Sequence, residues 1–254
     1  MFRRRARTRT FHHNKIIASA LSFVAGVVNI VGILSLHYMA TNVTGHFGFL
    51  IEEVLLLDYK AFLIYFLYIF FFFFGSFVSN FLVEALDKVN ERYIYIIPAF
   101  IETLLLTLIA VFGDSLIEEH SHVIAYTLLF AMGLQNALVT LISNAIVRTT
   151  HLTGLFTDLG IEMSQLLFYK KRHHRIKLIS TISLRLRIVA YFFLGGIVGG
   201  VLYNYFSFYA LFAPATLLFF GIFYDYLKVR MIQLRNRFIT TFHLDSNSEP
   251  NDKY

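Results

Sequence analysis

From Ile188 to Tyr224 the chain runs for 37 residues without a charge. A helix that crosses a bilayer needs about 20 mostly apolar residues. This block is too long for one span and suits two, with the break expected at Tyr203-Asn204-Tyr205. Four more apolar blocks precede it: Ile16–Ala40, Ala61–Val83 (with the run Phe70 to Phe74), about Tyr93–Phe112 with Glu102 inside it, and Val123–Val147. Membrane strands are about 10 residues long and alternate in polarity, so continuous runs of this length read as helices, which satisfy their own backbone hydrogen bonds in hydrocarbon. Charged residues make up 15% of the chain, against about a quarter in soluble domains. The expected fold is all-α, an integral membrane bundle of six transmembrane helices.

Lys and Arg orient it. With six spans and the N-terminus inside, 21 of the 22 basic residues fall on one face, and Lys60 alone lies outside. The other face holds Glu52, Glu53, Asp58, Asp114, Glu118 and Glu119. Basic residues collect on the cytoplasmic side, so both termini are expected in the cytoplasm. The same rule accounts for the net charge of +6 without nucleic acid as a partner. The first apolar block is longer than a signal-peptide core of about 7–15 residues, and is read as a retained helix. The expected organisation is a basic N-terminus (1–15), a membrane domain (16–226) and a cytoplasmic tail (227–254), polar toward its end. There is no Trp, so the interfacial aromatic belt falls to Tyr. There is no Cys either, which removes disulfides and thiolate metal sites.

Two segments repeat. Phe23-x-x-Gly26-x-x-Asn29 matches Phe130-x-x-Gly133-x-x-Asn136, and Thr41-x-x-Thr44-Gly45-x-Phe47 matches Thr150-x-x-Thr153-Gly154-x-Phe156. Glu53 and Glu162 then follow their glycines at equal distance. Duplication would give repeats of about 16–113 and 123–226 with three spans each. An odd number inverts the second copy, the plan of many secondary transporters. The segments Thr44–Leu57 and Thr153–Phe168 are too short to span comfortably and suit helices in the interface or re-entering against protein.

Phe23-x-x-Gly26-x-x-Asn29 and Val43-Thr44-Gly45, together with Gly133-Leu134-Gln135-Asn136-Ala137 and Val147-Arg148-Thr149-Thr150-His151-Leu152-Thr153-Gly154 continuing into Thr157-Asp158-Leu159-Gly160, resemble the YoaK family, bacterial multi-pass membrane proteins of uncharacterised function. The resemblance covers about residues 16 to 226. It implies a bacterial inner membrane and does not point to a substrate. The chain departs from the family pattern at Asn29, where the resemblance implies Asp, and at His46, where it implies Asn. A titrating carboxylate on the first helix is therefore missing.

Asn29, Gln135 and Asn136 lie inside apolar helices. Each either bonds helix to helix, at about 1 kcal/mol, or lines a polar substrate site between the repeats. Glu102 is the one acid deep in a span, and intramembrane ionisable groups are functional candidates by default; a hydrogen-bonded structural Glu is the alternative. Thr44-Gly45 and Thr153-Gly154 suit helix starts, with Thr as cap. Arg148 and His151 precede the second start, and Asp158 and Glu162 follow it, so the cluster is either capping at a turn or a gate or ligand contact at the cytoplasmic mouth. No His or Cys arrangement suggests a metal, and no cofactor fingerprint appears. Gly195, Gly196, Gly199 and Gly200 form a close-packing face, within the bundle or between protomers of a homo-oligomer. The expected function is a small-solute transporter or permease of the inner membrane, acting on a small polar solute. The rivals are a membrane enzyme on a lipid or polyprenyl substrate and a non-catalytic scaffold subunit.

Overall fold

The computed structural model describes residues 11–87, 95–143, 149–169 and 171–224. Among them it is helical, with no strand. The helices are α1 (Phe11–Leu36), α2 (Val43–Leu56), α3 (Tyr59–Asp87), α4 (Ile96–Ser143), α5 (Leu152–Phe168) and α6 (Arg172–Phe206); a 3-10 turn (Ser207–Leu211) leads into α7 over 212–224. The basic N-terminal residues before Phe11, Arg148 and the polar tail lie outside the described residues.

Four helical segments are long and apolar enough to cross a membrane: Lys15–Leu36, Tyr59–Leu86, Ile96–Leu141 and Arg172–Tyr224. The last two hold 46 and 53 residues, more than twice what about 30 Å of hydrocarbon requires. Each carries an interruption. In α4 it is His120, at φ −132° and ψ 37°. Between α6 and α7 it is Ser207, at φ 51° and ψ −135°, whose hydroxyl donates to Asp114 Oδ1 at 2.5 Å. The expected break at Tyr203-Asn204-Tyr205 is thus misplaced. Those residues remain helical, and the chain turns where Ser207 adopts positive φ against the first half of α4.

Side-chain contacts fix how the helices run. Lys15 Nζ reaches Ser183 Oγ at 3.5 Å and Gly26 packs on Gly196, so α1 and α6 are parallel. Gln135 Nε2 donates to Leu21 O at 2.6 Å and the Tyr38 hydroxyl to Ala125 O at 3.4 Å, so the second half of α4 is antiparallel to α1. Phe71 stacks on Tyr126 and Ser76 Oγ donates to Gly133 O at 3.0 Å, so it runs parallel to α3. The first half of α4 ends against the 3-10 turn, with the Phe208 ring over Gly113.

Two crossings are close because glycine sits at each. A Cβ on Gly26 would collide with the carbonyl oxygen of Phe192, and one on Gly195 with that of Phe23. At the other crossing, a Cβ on Gly133 would meet the carbonyl oxygen of Phe72, and one on Gly75 that of Phe130. Lipid tails are as apolar as the side chains, so helices associate in a membrane through such close packing. Gly199 also packs on α1, at Val27 and Ile30. The glycine face of α6 is therefore used within the chain. The outward stripe of α3, Leu63, Phe66, Phe70, Phe73 and Phe77, is exposed, as befits a lipid-facing surface. The short helices α2 and α5 also expose apolar residues, among them Phe47, Ile51 and Leu55, and Phe156, Ile161 and Leu167.

Candidate functional site

Glu102 lies in the first half of α4 on the stripe Ala99, Leu106, Ile109, Gly113, which faces the core. It is 0% exposed, and neither carboxyl oxygen has a hydrogen-bond partner. Gln135, also buried, commits its amide NH2 to Leu21 O while its Oε1 has no partner. Ser22, next to Leu21, and Ser79, one turn beyond Gly75, are buried with unpartnered hydroxyl oxygens. Buried polar atoms are normally paired, so this set, spread over α1, α3 and both halves of α4, is the main anomaly in the bundle.

The two asparagines behave differently. Asn29 Oδ1 accepts from the Thr41 hydroxyl at 2.8 Å and from Thr41 N at 3.3 Å. Asn136 Oδ1 accepts from the Thr150 hydroxyl at 3.0 Å. Each fastens the turn that follows its own helix. No described hydrogen bond joins either to Glu102.

At the start of α2 the cap is Asn42, not Thr44. The helix begins at Val43, which puts Thr44 inside the first turn, and Asn42 Oδ1 accepts from Gly45 N at 3.1 Å. Asn is among the strongest N-cap residues. At the start of α5, His151 holds the cap position without a side-chain cap bond, and its ring lies where a Cβ on Gly154 would go. Thr153 is exposed in the first turn. Asp158 and Glu162, one turn apart on α5, are both engaged by Arg185 of α6. Arg185 Nη1 donates to Asp158 Oδ2 at 2.6 Å, while Nε and Nη2 donate to the two Glu162 oxygens at 3.0 and 3.1 Å. No local pattern marks Arg185 as the partner, since it lies 23 residues beyond Glu162 on another helix.

An aromatic cluster, likewise unmarked by any motif, forms where α1 ends and α2 and α3 begin. Tyr38 stacks on Tyr68 with centroids 5.3 Å apart, and His46 meets Tyr68 edge-on at 5.2 Å. His46 is 2% exposed; its Nε2 lies 3.0 Å from Met39 O and its Nδ1 has no partner. Burial lowers its pKa below the usual histidine value, and the Met39 carbonyl partly opposes this. Phe49 stacks on Tyr65 at 5.3 Å. The departure at His46 was the one sequence signal here. Among the described residues, no three His, Asp or Glu are grouped to hold a metal ion.

Long apolar helices joined at glycine crossings, with apolar side chains turned outward and polar atoms enclosed, define a multi-pass helical membrane protein. The chain belongs to the DUF1275 family, proteins of unknown function, whose profile matches residues 17–224. Neither a curated protein nor a solved structure matches it.

Proposed function

We propose that the protein is a small-solute transporter of the inner membrane, built from six spans in two inverted three-helix repeats with both termini in the cytoplasm. In this reading His120 and Ser207 are turns between spans, which divide α4 in two and separate α6 from α7. Three features support the repeat. The helices that carry the matching motifs, α1 and the second half of α4, run antiparallel. Asn29–Thr41 and Asn136–Thr150 are the same bond made once in each half. The glycine crossings also correspond. Gly26 meets the carbonyl of Phe192, three residues before Gly195, and Gly133 meets that of Phe72, three residues before Gly75. Each repeat's first span thus crosses the second span of the other repeat.

The correspondence extends to the two ends of the bundle. Arg185 lies ten residues before Gly195, as Tyr65 lies ten before Gly75. Arg185 clasps Asp158 and Glu162; Tyr65 stacks on Phe49 and lies within electrostatic reach of Glu53, the two equivalents of those acids. The cytoplasmic closure is ionic, and the outer one is aromatic.

The observation that carries the transport reading is Glu102, fully buried, facing the core and without a partner. An ionised carboxylate at this depth is costly. Such a position favours an occupant that brings positive charge, a proton or a cationic solute, with Gln135 Oε1 as a second acceptor. The local bonds of Asn29 and Asn136 favour a fastening role for those two, which narrows the site to Glu102 and Gln135. The enzyme reading is weaker because the two acids that follow the second Thr-Gly motif, Asp158 and Glu162, are both engaged by Arg185. The test uses vesicles holding the purified protein and a trapped pH indicator, challenged with fractionated solute pools. Wild type should move protons with one pool. Glu102→Gln, which keeps shape and hydrogen bonding, should not, while melting like wild type. An unchanged proton response in Glu102→Gln rejects coupling through this residue.

A further inference from the structure

The helix α6 holds 35 residues, about 52 Å of helix. Its uncharged part begins at Ile188 and already suffices for the hydrocarbon. The segment from Arg172 to Arg187 therefore stands at the cytoplasmic interface, against α5. Between the two helices lies a cleft of about 360 Å³. Tyr169, His173, His174, Lys177, Gln165 and Thr181 line it, along with Glu162. Its one acid, Glu162, is already neutralised by both prongs of Arg185. Lys177 has no such partner: no described acid pairs with it.

The remaining lining is rich in donors, namely an ammonium, two imidazoles, an amide and the Tyr169 hydroxyl, while the Thr181 hydroxyl is turned to Leu178 O of its own helix. The first turn of α6 adds to them. Lys171 stands at its cap without a side-chain bond to the turn, so the first N–H groups of the helix are left for an outside acceptor. Lys171, Arg172 and Arg175 beside the cleft are exposed and deepen the positive potential. Leu178 also lines the cleft, and Phe168, 78% exposed, stands next to Tyr169 at the end of α5.

The geometry points to a binding site for a phosphate-bearing anion, the headgroup of an anionic phospholipid. Phosphate offers several acceptor oxygens to convergent N–H and O–H donors, and the cleft's place at the membrane interface, with Leu178 in its wall and Phe168 beside it, suits the acyl chains of a lipid. The general excess of basic residues on a cytoplasmic face predicts charge spread over the surface; it does not predict a cleft in which one lysine matters more than its neighbours.

The full-length protein, purified in a neutral detergent at fixed ionic strength, is titrated with short-chain phosphatidylglycerol, with short-chain phosphatidylcholine and with inorganic phosphate, and its melting midpoint is followed. Phosphatidylglycerol should raise the midpoint saturably, and phosphatidylcholine should not. Lys177→Gln should raise the half-saturating concentration about fivefold, the effect of one basic residue near an anionic surface. The double variant His173→Gln, His174→Gln should also weaken binding, Lys177→Arg should restore it, and Arg187→Gln, exposed on the same helix outside the cleft, should leave it unchanged. A saturable, Lys177-dependent response to inorganic phosphate as well supports the phosphate site and assigns it a soluble source. Equal loss in Lys177→Gln and Arg187→Gln, or equal shifts with the two lipids, overturns the proposal.

Discussion

Gly133→Ala tests the helix crossings on which the bundle rests. The added Cβ would collide with the backbone carbonyl of Phe72 and come within 3.1 Å of Ser76 N. Both are main-chain atoms of α3, so no side chain can swing aside. The helices must part by roughly 1 Å, and a gap of that size forfeits a quarter to a half of the dispersion along the seam. Overpacking of this kind costs about 1–3 kcal/mol, and the better helix propensity of Ala returns up to about 1 kcal/mol. With the full propensity gain subtracted, the net loss is up to about 2 kcal/mol, a factor of up to about 30 in the folding equilibrium. Gly26→Ala should lose a similar amount, because it meets Phe192 O in the same way. Gly48 and Gly160, in the short helices, have nothing within 4 Å of an added Cβ, so Ala there should be neutral or stabilising by up to about 1 kcal/mol. Denaturant unfolding in mixed micelles reads all four variants. If Gly133→Ala proves as stable as Gly160→Ala, the crossings are not closed by glycine and the packing argument fails.

Stability should fall as pH drops below about 6.5, because the unfolded state takes up a proton that buried His46, with its lowered pKa, refuses; His46→Gln should flatten that acid slope in a pH series of melts, and an unchanged slope would refute it. Glu162, 13% exposed and holding two of the three Arg185 bonds, should cost about 1.5–3 kcal/mol as Glu162→Gln, whereas Asp158→Asn, 49% exposed, should cost under about 1 kcal/mol; equal costs would contradict the forked geometry. Reporter fusions after Asp114 and after Tyr254 should lie on opposite sides of the membrane, and finding them on one side would sink the six-span reading. Asn29→Ala and Asn136→Ala should each lower stability by about 1 kcal/mol and leave transport in vesicles intact, and lost transport in a stable variant would restore them to the site.

The helical blocks were legible in the sequence because hydropathy is a property of each residue alone, summed along the chain. The breaks were not. Tyr203-Asn204-Tyr205 is the most polar point of its block, yet it stays helical, and the turn falls at Ser207, where Asp114, 93 residues away, accepts the hydroxyl bond. The Thr44 cap failed for a smaller reason: Asn42 stands two residues earlier and is the stronger acceptor. The repeat motifs were visible as strings, but their internal bond was not drawn, although Asn29 precedes Thr41 by 12 residues and Asn136 precedes Thr150 by 14. Near-equal separations of an amide and a hydroxyl in two copies were the signal that could have found it.

The limit is sharpest at Glu102. Its direction follows from periodicity, since Ala99, Leu106, Ile109 and Gly113 share its stripe and are buried. A carboxyl facing lipid would cost too much, so sequence alone turns it inward. What sets it apart is that it has no donor, and no local pattern encodes the absence of a partner. Asp158 and Glu162 make the contrast. They too read as a pair of acids near the membrane, but Arg185, 23 residues beyond Glu162, neutralises both, and they become a fastening between helices. The acids thus divide into two that fasten one helix to another and one, Glu102, that has no partner. The division depends on which side chain the fold brings opposite each, a matter of how helices distant in the chain are set against one another.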